Sequence, residues 1–305
     1  MHRKILVTGA NGFLGSNLVK NLKKDNIYIV KSTDLNGDVD IIGNLAEKSF
    51  VDSLDNFDVV VHCAGAQYHS RDLPKSLRKK YFVKNNVKTV VNLVEKFSNK
   101  GVHFIGIGSS MMYRNSKKIN QPIDKNFSAN GVYSDSKIKM FKEFQKFIGV
   151  KSFIIPSVIA GKSRGGLFEA VNKLLRKFNL LVIPQKEFMT SIIHVDDLVC
   201  LIKTIILQKD LSSGIFNASS VNNTSMREWI EEIAKQQGLS PYRLVIPNFI
   251  FSIISLISLR RILSKEQALL LNKNHVIDIN TSLNLGWNPE KDLSDIISDV
   301  IKGIS

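Results

Sequence analysis

The heptapeptide GVYSDSK sets Tyr133 and Lys137 four residues apart, a spacing that puts both on one face of a helix. A tyrosine hydroxyl ionises at about pH 10, so it is a poor base at neutral pH. A nearby ammonium stabilises the phenolate and lowers that value. Such a pair suits a reaction in which a hydride leaves or joins a carbon while a proton moves on the attached oxygen. The third group this chemistry needs is a hydroxyl at the end of the preceding strand, to position the reacting oxygen. The stretch HFIGIGSSMMY supplies two, Ser109 and Ser110.

A hydride needs a carrier, and VTGANGFLG offers a place for one. Gly9, Gly12 and Gly15 fall between an apolar run, KILV, and a segment with helical apolar spacing, LGSNLVKNLKK. This is the G-x-x-G-x-x-G form of the dinucleotide-binding turn. Its glycines permit a tight turn and close approach to a pyrophosphate, and the helix N-terminus stabilises the charge. The next strand, IYIVKS, leads to Asp34, whose carboxylate suits both ribose hydroxyls of NAD and repels a 2′-phosphate. Lys31 and Ser32 would instead attract that phosphate. NAD and NADP both stay open, with a lean to NAD from Asp34.

Around these residues the chain alternates short β-branched runs with amphipathic segments through residues 1–160. That alternation predicts a parallel sheet with helices on both faces. Together with the glycine turn, it gives an α/β fold of the Rossmann type, a doubly wound parallel sheet. Beyond Gly161 the alternation weakens. Residues 188–216 read as returning to the sheet, while 161–187 and 217–305 form a smaller, mixed α/β C-terminal substrate lobe. TSMREWIEEIAKQQG is a helix capped by Thr224 or Ser225.

Composition narrows the classes further. The chain of 305 residues has 44% apolar and 23% charged residues, ordinary for a globular protein. Its 42 Lys+Arg against 27 Asp+Glu give +15, which favours anionic ligands. The lysines are scattered, without the dense basic run and interleaved aromatics of a nucleic-acid site. Cys63 and Cys200 sit in apolar runs and read as buried free thiols, not as a disulfide or a metal site. KILV begins too near the N-terminus to leave room for a signal-peptide core. The twelve-residue apolar stretch NFIFSIISLISL at 248–259 is short of the roughly 18 needed to span a bilayer. The expectation is a cytoplasmic protein. Segment 248–259 is read as core or lid of the substrate lobe. The other reading is an apolar surface that, with Arg260 and Arg261, rests on a membrane or a partner.

Taken together, TGANGFLG, HCAGA, GSSMMY and YSDSK resemble the extended short-chain dehydrogenase/reductase (NAD-dependent epimerase/dehydratase) family. IHVDDL, GIFNASS and LGWNP follow in the family's order, so the likeness runs along nearly the whole chain. Within the family the chain is most similar to bacterial nucleotide-sugar 4-ketoreductases and 4-epimerases, including enzymes of surface-polysaccharide pathways. The resemblance implies a catalytic set of Ser109, Tyr133 and Lys137. Ser109 is chosen because it stands four residues before Tyr113, and Lys137 also holds the nicotinamide ribose. It implies cofactor contacts at Gly9, Asn11, Gly12, Phe13, Leu14 and Gly15, at Asn44 and Leu45 beside adenine, at Cys63, Ala64 and Gly65, and at Asn85, Pro156 and Val158. A homodimer through two helices, one of them carrying Tyr133, is also implied.

The resemblance also limits the reaction. Sugar 4,6-dehydratases of the family carry Asp-Glu where this chain has Ser110 and Met111, and enzymes that epimerise C3 and C5 carry cysteine at Met111. Carbonyl/alcohol interconversion at C4 of a nucleotide-diphosphate sugar is what remains. The family's diphosphate-gripping arginine is Thr190 here, its arginine before Pro156 is Ile155, and its substrate-facing asparagine is Val158. Lys162, Arg164 and Lys186 are the cations left to bind substrate, beside Ser110. His194 reads as structural, and Asp196 as a helix cap. Two alternatives stand beside the sugar-nucleotide reading: a dehydrogenase of an apolar alcohol or ketone, favoured by Ile155, Val158 and Thr190, and a non-catalytic NAD(P)-binding scaffold.

Overall fold

The computed structural model describes residues 2–67, 75–113, 127–164, 167–208, 213–257 and 272–304. Its centre is a seven-stranded sheet. In chain order the first part runs β1 (Arg3–Thr8), α1 (Phe13–Leu22), β2 (Tyr28–Asp34), β3 (Ile41–Ile42), α2 (Lys48–Asp52) and β4 (Val59–His62). A continuous helical stretch follows: α3 (Lys75–Phe82), a π-helical segment Val83–Lys88, and α4 (Thr89–Phe97). Then come β5 (His103–Ile107), a single 3₁₀ turn Ser110–Met112, α5 (Val132–Gln145) and β6 (Lys151–Pro156). With β11 (Gly214–Ala218) joining from later in the chain, the spatial order is β11-β6-β5-β4-β1-β2-β3, with every pairing parallel. This is the doubly wound topology expected from the sequence, with the strand order reversing beside β1.

Both faces of the sheet are covered, so its strands read as continuous apolar runs instead of alternating ones. Ile5, Leu6 and Val7 of β1 are all fully buried. Ile5 and Val7 pack with Leu14, Leu18 and Leu22 of α1 and with Leu198, Ile202 and Ile205 of α7 (Val195–Leu207). Leu6, on the other face, packs with Leu93 and Phe97 of α4 and with Met140 and Phe144 of α5.

The remaining elements build the C-terminal lobe and return once to the sheet. They are β7 (Val158–Ala160), α6 (Leu167–Phe178), β8 (Leu180–Pro184), β9 (Met189–Thr190), β10 (Ile192–His194), β11 (Gly214–Ala218), β12 (Thr224–Ser225), α8 (Met226–Gln236), β13 (Tyr242–Ile246), α9 (Asn248–Ile257), α10 (Asn280–Leu283) and α11 (Leu293–Ile304). β11 lies against β6, while β7–β10, β9–β12 and β8–β13 form three two-stranded sheets. Phe168, Leu181, Ile183, Trp229, Ile233, Ile296 and Val300 share the core of this lobe. Ser225 caps α8 in a capping box with Glu228.

Two expectations change. Cys200 is exposed on the outer face of α7, whereas Cys63 is half-buried with its thiol shielded from water; both thiols are free. The cap of α7 is the His194 ring, whose Nδ1 accepts from the Asp196 amide at 3.2 Å; Asp196 does not cap it. In the apolar segment, α9 covers 248–257, with Phe251 packed against the lobe core and Phe249 and Ile253 exposed. Residues 258–259, Arg260 and Arg261 lie outside the described residues. No helix among the described residues is long and apolar enough to cross a membrane.

LGWNP ties the end of the chain to the sheet. Trp287 is 2% exposed, and its indole donates to the Asp197 carbonyl at 2.9 Å. The Asp197 carboxylate accepts from the amides of Glu290 and Lys291, each at 3.1 Å. Trp287→Ala removes a buried indole and its hydrogen bond, which should cost about 3–5 kcal/mol. Urea denaturation would read this as a lower midpoint; an unchanged midpoint would show that the clamp contributes nothing.

Candidate active site

The site lies where the strand order reverses, at the C-terminal ends of β1, β4 and β5. Gly9 turns the chain with φ +66°, and a Cβ there would stand 2.5 Å from Ala64 Cα. A Cβ on Gly15 would stand 2.1 Å from the Gly9 carbonyl oxygen. The turn is therefore packed tightly against the 63–65 loop. Asn11, Gly12, Phe13 and Leu14 carry it into α1, whose N-terminal amides face the crevice. The Asp34 carboxylate accepts from the amides of Asn11 at 2.9 Å and Leu35 at 2.7 Å. A carboxylate offers about four acceptor positions, so two remain for a ribose. Ser32 is buried and bonded to Asp40 at 2.5 Å, so its hydroxyl is committed within the protein.

Beside the turn, the Ala64 amide donates to Thr8 Oγ1 at 3.4 Å, and that hydroxyl meets His62 Nδ1 at 2.8 Å. A Cβ on Gly65 would come within 3.1 Å of Asn86 Oδ1 and 3.3 Å of Lys137 Nζ. The bare glycine thus leaves a cradle between these two side chains. Asn44 is spent locally, bonding Glu47 and the Ala46 amide, while Leu45 is buried and its carbonyl accepts from Asn92. Pro156 ends β6, and Val158 opens β7, half-buried.

The two neighbouring asparagines of the helix are placed differently. Asn85 is half-buried and donates to the Tyr81 carbonyl. Asn86 is fully buried and faces the site. It accepts from the Ala66 amide at 2.7 Å and donates to the Ala66 carbonyl at 3.2 Å and to Ser136 Oγ at 2.8 Å. Both lie in the π-helical segment 83–88, whose extra residue per turn shifts later side chains around the axis. Asn-Asn is visible in the sequence, but the π-turn that chooses between the two is not.

Tyr133 and Lys137 lie one turn apart in α5, both buried. Ser134 Oγ accepts from the amides of Asn130 and Gly131 at 2.8 and 3.0 Å, fixing the start of the helix. Ser136 Oγ donates to the Tyr133 carbonyl at 2.6 Å, joining α5 to Asn86. Lys137 Nζ donates to the Ile107 carbonyl at 3.0 Å, at the end of the strand that leads into Ser109. No ion pair joins it to a carboxylate among the described residues, and burial pulls its pKa down to about 8. Burial also keeps its neighbours uncharged: His62 falls to about 3, and the Cys63 thiol is pushed up to about 12.

Ser109 caps the 3₁₀ turn, accepting from the Met111 amide at 3.3 Å. Ser110 is 3% exposed, and its Oγ meets His275 Nε2 at 2.9 Å. Of the three cations named from sequence, one enters the crevice. Arg164 lies with its guanidinium carbon 5.0 Å from the Phe13 ring centre and donates to Gln67 Oε1 at 3.0 Å. Burial lowers its pKa, and the neighbouring Tyr133 opposes that shift. Lys162 and Lys186 are exposed. His194 is buried between the cap contact and Asp299, with Nε2 3.3 Å from its carboxylate. His275 and Asn86 are the side chains in this region that sequence reasoning did not single out.

The buried ammonium makes a prediction about stability. Between pH 8 and 10.5 the unfolded chain holds a Lys137 proton that the folded one has lost. Stability therefore rises with pH across that window on this account, and the penalty is fully present below pH 8. Lys137→Met removes it. The stability advantage of the variant over the parent should shrink by an amount on the order of 3 kcal/mol from pH 7 to pH 10.5, read by denaturant unfolding of both. A difference that does not change with pH would mean that Lys137 titrates normally.

Comparison with known proteins agrees with this geometry. The model of the NAD dependent epimerase/dehydratase family matches residues 5–219. A UDP-glucose 4-epimerase of Vibrio cholerae is 27% identical over 312 residues, covering 97% of this chain and 93% of the relative. An ADP-L-glycero-D-manno-heptose-6-epimerase of Brachyspira hyodysenteriae is 25% identical over 249 residues, covering 73% and 78%. Among solved structures, the UDP-glucuronic acid 4-epimerase of Bacillus cereus with UDP-glucuronic acid and NAD superposes with a TM-score of 0.79 at 19% identity, covering 99% and 98%. A glycine-rich turn, a tyrosine–lysine pair and a strand-end serine thus meet at one crevice, and the chain belongs to the NAD-dependent epimerase/dehydratase family, as an NAD(P)-dependent enzyme of the extended short-chain dehydrogenase/reductase type.

Proposed function

We propose that this enzyme interconverts the C4 hydroxyl and carbonyl of a nucleotide-diphosphate sugar, acting as a 4-epimerase. The observation that carries the reading is Lys137, a buried cation one turn beyond Tyr133 and bonded to the strand end that leads into Ser109. The end-to-end likeness to a UDP-glucose 4-epimerase supports it. A 4-ketoreductase would use the same residues; the two differ in whether the cofactor is retained or consumed.

The glycine turn and the α1 amides would hold the pyrophosphate, and Asp34 the adenosine ribose, which favours NAD over NADP. Lys137 and the cradle at Gly65 would receive the nicotinamide ribose. When bound, the nicotinamide supplies the hydride acceptor and donor. Tyr133, as phenolate, takes the proton of the sugar hydroxyl while Ser109 holds the oxygen, and the same hydroxyl returns it. Lys137 lowers the cost of the phenolate. Ser110 and Met111 offer no carboxyl group for the elimination of water.

Arg164 supports the diphosphate assignment. Its guanidinium lies in the crevice, without an ion-pair partner among the described residues, against the first residue of α1. It suits a diphosphate oxygen pair in the two-pronged way a guanidinium favours, and so stands in for the arginine absent at Thr190.

Purified protein incubated with UDP-glucose should form UDP-galactose without net consumption of NAD. Absence of turnover with UDP- and dTDP-sugars, alongside reduction of a small apolar ketone, would refute the substrate class. Tyr133→Phe should lower kcat about 10²–10⁴-fold while NADH still binds, measured by its fluorescence. Arg164→Ala should raise KM for UDP-glucose at least about tenfold with a smaller change in kcat. An unaltered KM would remove Arg164 from the diphosphate.

A further inference from the structure

The C-terminal lobe leaves one of its strands open on both faces. In β13, Tyr242 is 80% exposed, and Arg243, Leu244 and Val245 are exposed too. Among the described residues β13 pairs with β8 alone, so its outer edge is bare as well. Neighbouring elements continue this surface. The Tyr242 amide donates to the Asn179 carbonyl at 2.9 Å, one residue past Phe178 of α6, which is 60% exposed. At the other end of the strand, the Asn248 side chain accepts from the Lys186 amide and donates to the Lys186 carbonyl. Those two bonds set α9 directly beside the β8–β13 pair. Phe249, at 61%, and Ile253 are exposed one turn apart on α9, while Phe251 packs against the lobe core. A helix that is apolar on its outer side as well as its inner side is normally covered on both, and an exposed apolar patch marks a contact site.

Charge identifies what covers it. Residues 170–186 and 233–265, which hold the second half of α6, β8, β13 and α9, include no Asp or Glu. Lys177, Lys186 and Arg243 are exposed there and form no ion pair among the described residues. Lys177 Nζ lies 5.3 Å from the Phe178 ring centre, so cation and apolar side chain are presented together. We propose that this face rests on an anionic lipid surface. Tyr242, Leu244, Phe249 and Ile253 enter the headgroup boundary, and the cations meet lipid phosphates. An interfacial helix needs an apolar face and nearby basic residues; α9 carries no charge of its own, and the adjoining elements supply it. At headgroup depth the free edge of β13 still meets water, whereas in hydrocarbon its unpaired backbone groups would be costly. A second copy is a poor fit. A two-fold interface sets a patch against itself, which here brings Lys177, Lys186 and Arg243 against the same cations. Contact with lipid does not depend on which sugar the crevice takes.

The test sediments the full-length protein with vesicles of phosphatidylcholine alone, or of phosphatidylcholine and phosphatidylglycerol in equal parts. Wild type should bind the anionic vesicles, and added salt should weaken that binding. Phe249→Gln combined with Ile253→Gln should lower the partition coefficient at least about tenfold. Lys177→Gln combined with Arg243→Gln should lower it roughly fivefold per cation. Lys20→Gln combined with Lys24→Gln removes the same charge from exposed positions in and just after α1, and should leave binding at the parental value. All the replaced side chains are exposed, and NADH fluorescence checks that each variant is folded. A wild type that stays in the supernatant overturns the proposal, as does full binding by the Phe249→Gln, Ile253→Gln protein. An equal loss in the Lys20→Gln, Lys24→Gln protein means attraction by net charge alone and also overturns it. Self-association that the Phe249→Gln, Ile253→Gln pair abolishes, without vesicle binding by wild type, assigns the face to a second copy instead.

Discussion

An ammonium sealed inside a protein without a carboxylate is unfavourable, and the architecture around Lys137 is arranged to hold one. A buried charge requires hydrogen-bond acceptors or a counter-charge. Lys137 has the Ile107 carbonyl and the Met140 sulfur. Its nearest ionisable neighbours carry no charge at neutral pH: His62 is held neutral by burial and by the lysine itself, and the Cys63 thiol stays protonated. The positive charge at the end of β5 is thus uncompensated from within. It is available to an anion one turn away at Tyr133, or to a ligand in the cradle at Gly65. A carboxylate beside Lys137 would have made the fold more comfortable and the tyrosine less acidic.

The second constraint is the rigidity of the turn after β5. Three separate parts of the chain hold it. Asn130, at the start of α5, donates to the carbonyls of Met111 and Tyr113. The Tyr113 hydroxyl donates to Asn217 of β11, which in turn bonds the Asp278 carbonyl. His275 meets Ser110 from the C-terminal lobe. The position of Ser109 relative to Tyr133 therefore depends on residues up to 165 positions away. The C-terminal lobe and the turn that would position the reacting oxygen are mechanically linked.

The local motifs were legible from sequence because their chemistry depends on short spacings. Three glycines between a strand and a helix, or a tyrosine and lysine one helical turn apart, leave few other geometries. The parallel sheet followed from alternation for the same reason. What was not legible depended on helical phase or on distant contacts. Asn85 and Asn86 are adjacent, and only the π-turn decides which is buried. Cys200 sits in an apolar run yet lies on the outer stripe of α7, a matter of which face packs on β1. The helix cap by His194 uses a ring nitrogen where the sequence offers a conventional aspartate. His275 could not be placed at the 3₁₀ turn at all, because residues 110 and 275 are brought together only by the strand bridge with Thr190. Arg164, Lys162 and Lys186 were equivalent as charges in the sequence; the loop after β7, with Ser163 at φ +66°, turned only the first into the crevice.

Charge is distributed along the crevice in a way that follows from these placements. The two cations, buried Lys137 and half-buried Arg164, form no ion pair among the described residues, so on the proposed reading each would be matched by an anionic ligand. The carboxylate at the other end, Asp34, already accepts two backbone amides and is held to the glycine turn. Behind the turn, Ser110 and His275 meet as a hydroxyl and a neutral ring. On the proposed reading, a ligand matches this distribution with a ribose at one end, phosphates near the turn and Arg164, and a sugar hydroxyl beside Ser109. An apolar alcohol would leave the guanidinium unmatched. The apolar side chains at Ile155 and Val158 do not change that: Ile155 is fully buried in the sheet core, and Val158 packs against the lobe core. The polarity of the crevice is set by the groups that remain unpaired within it.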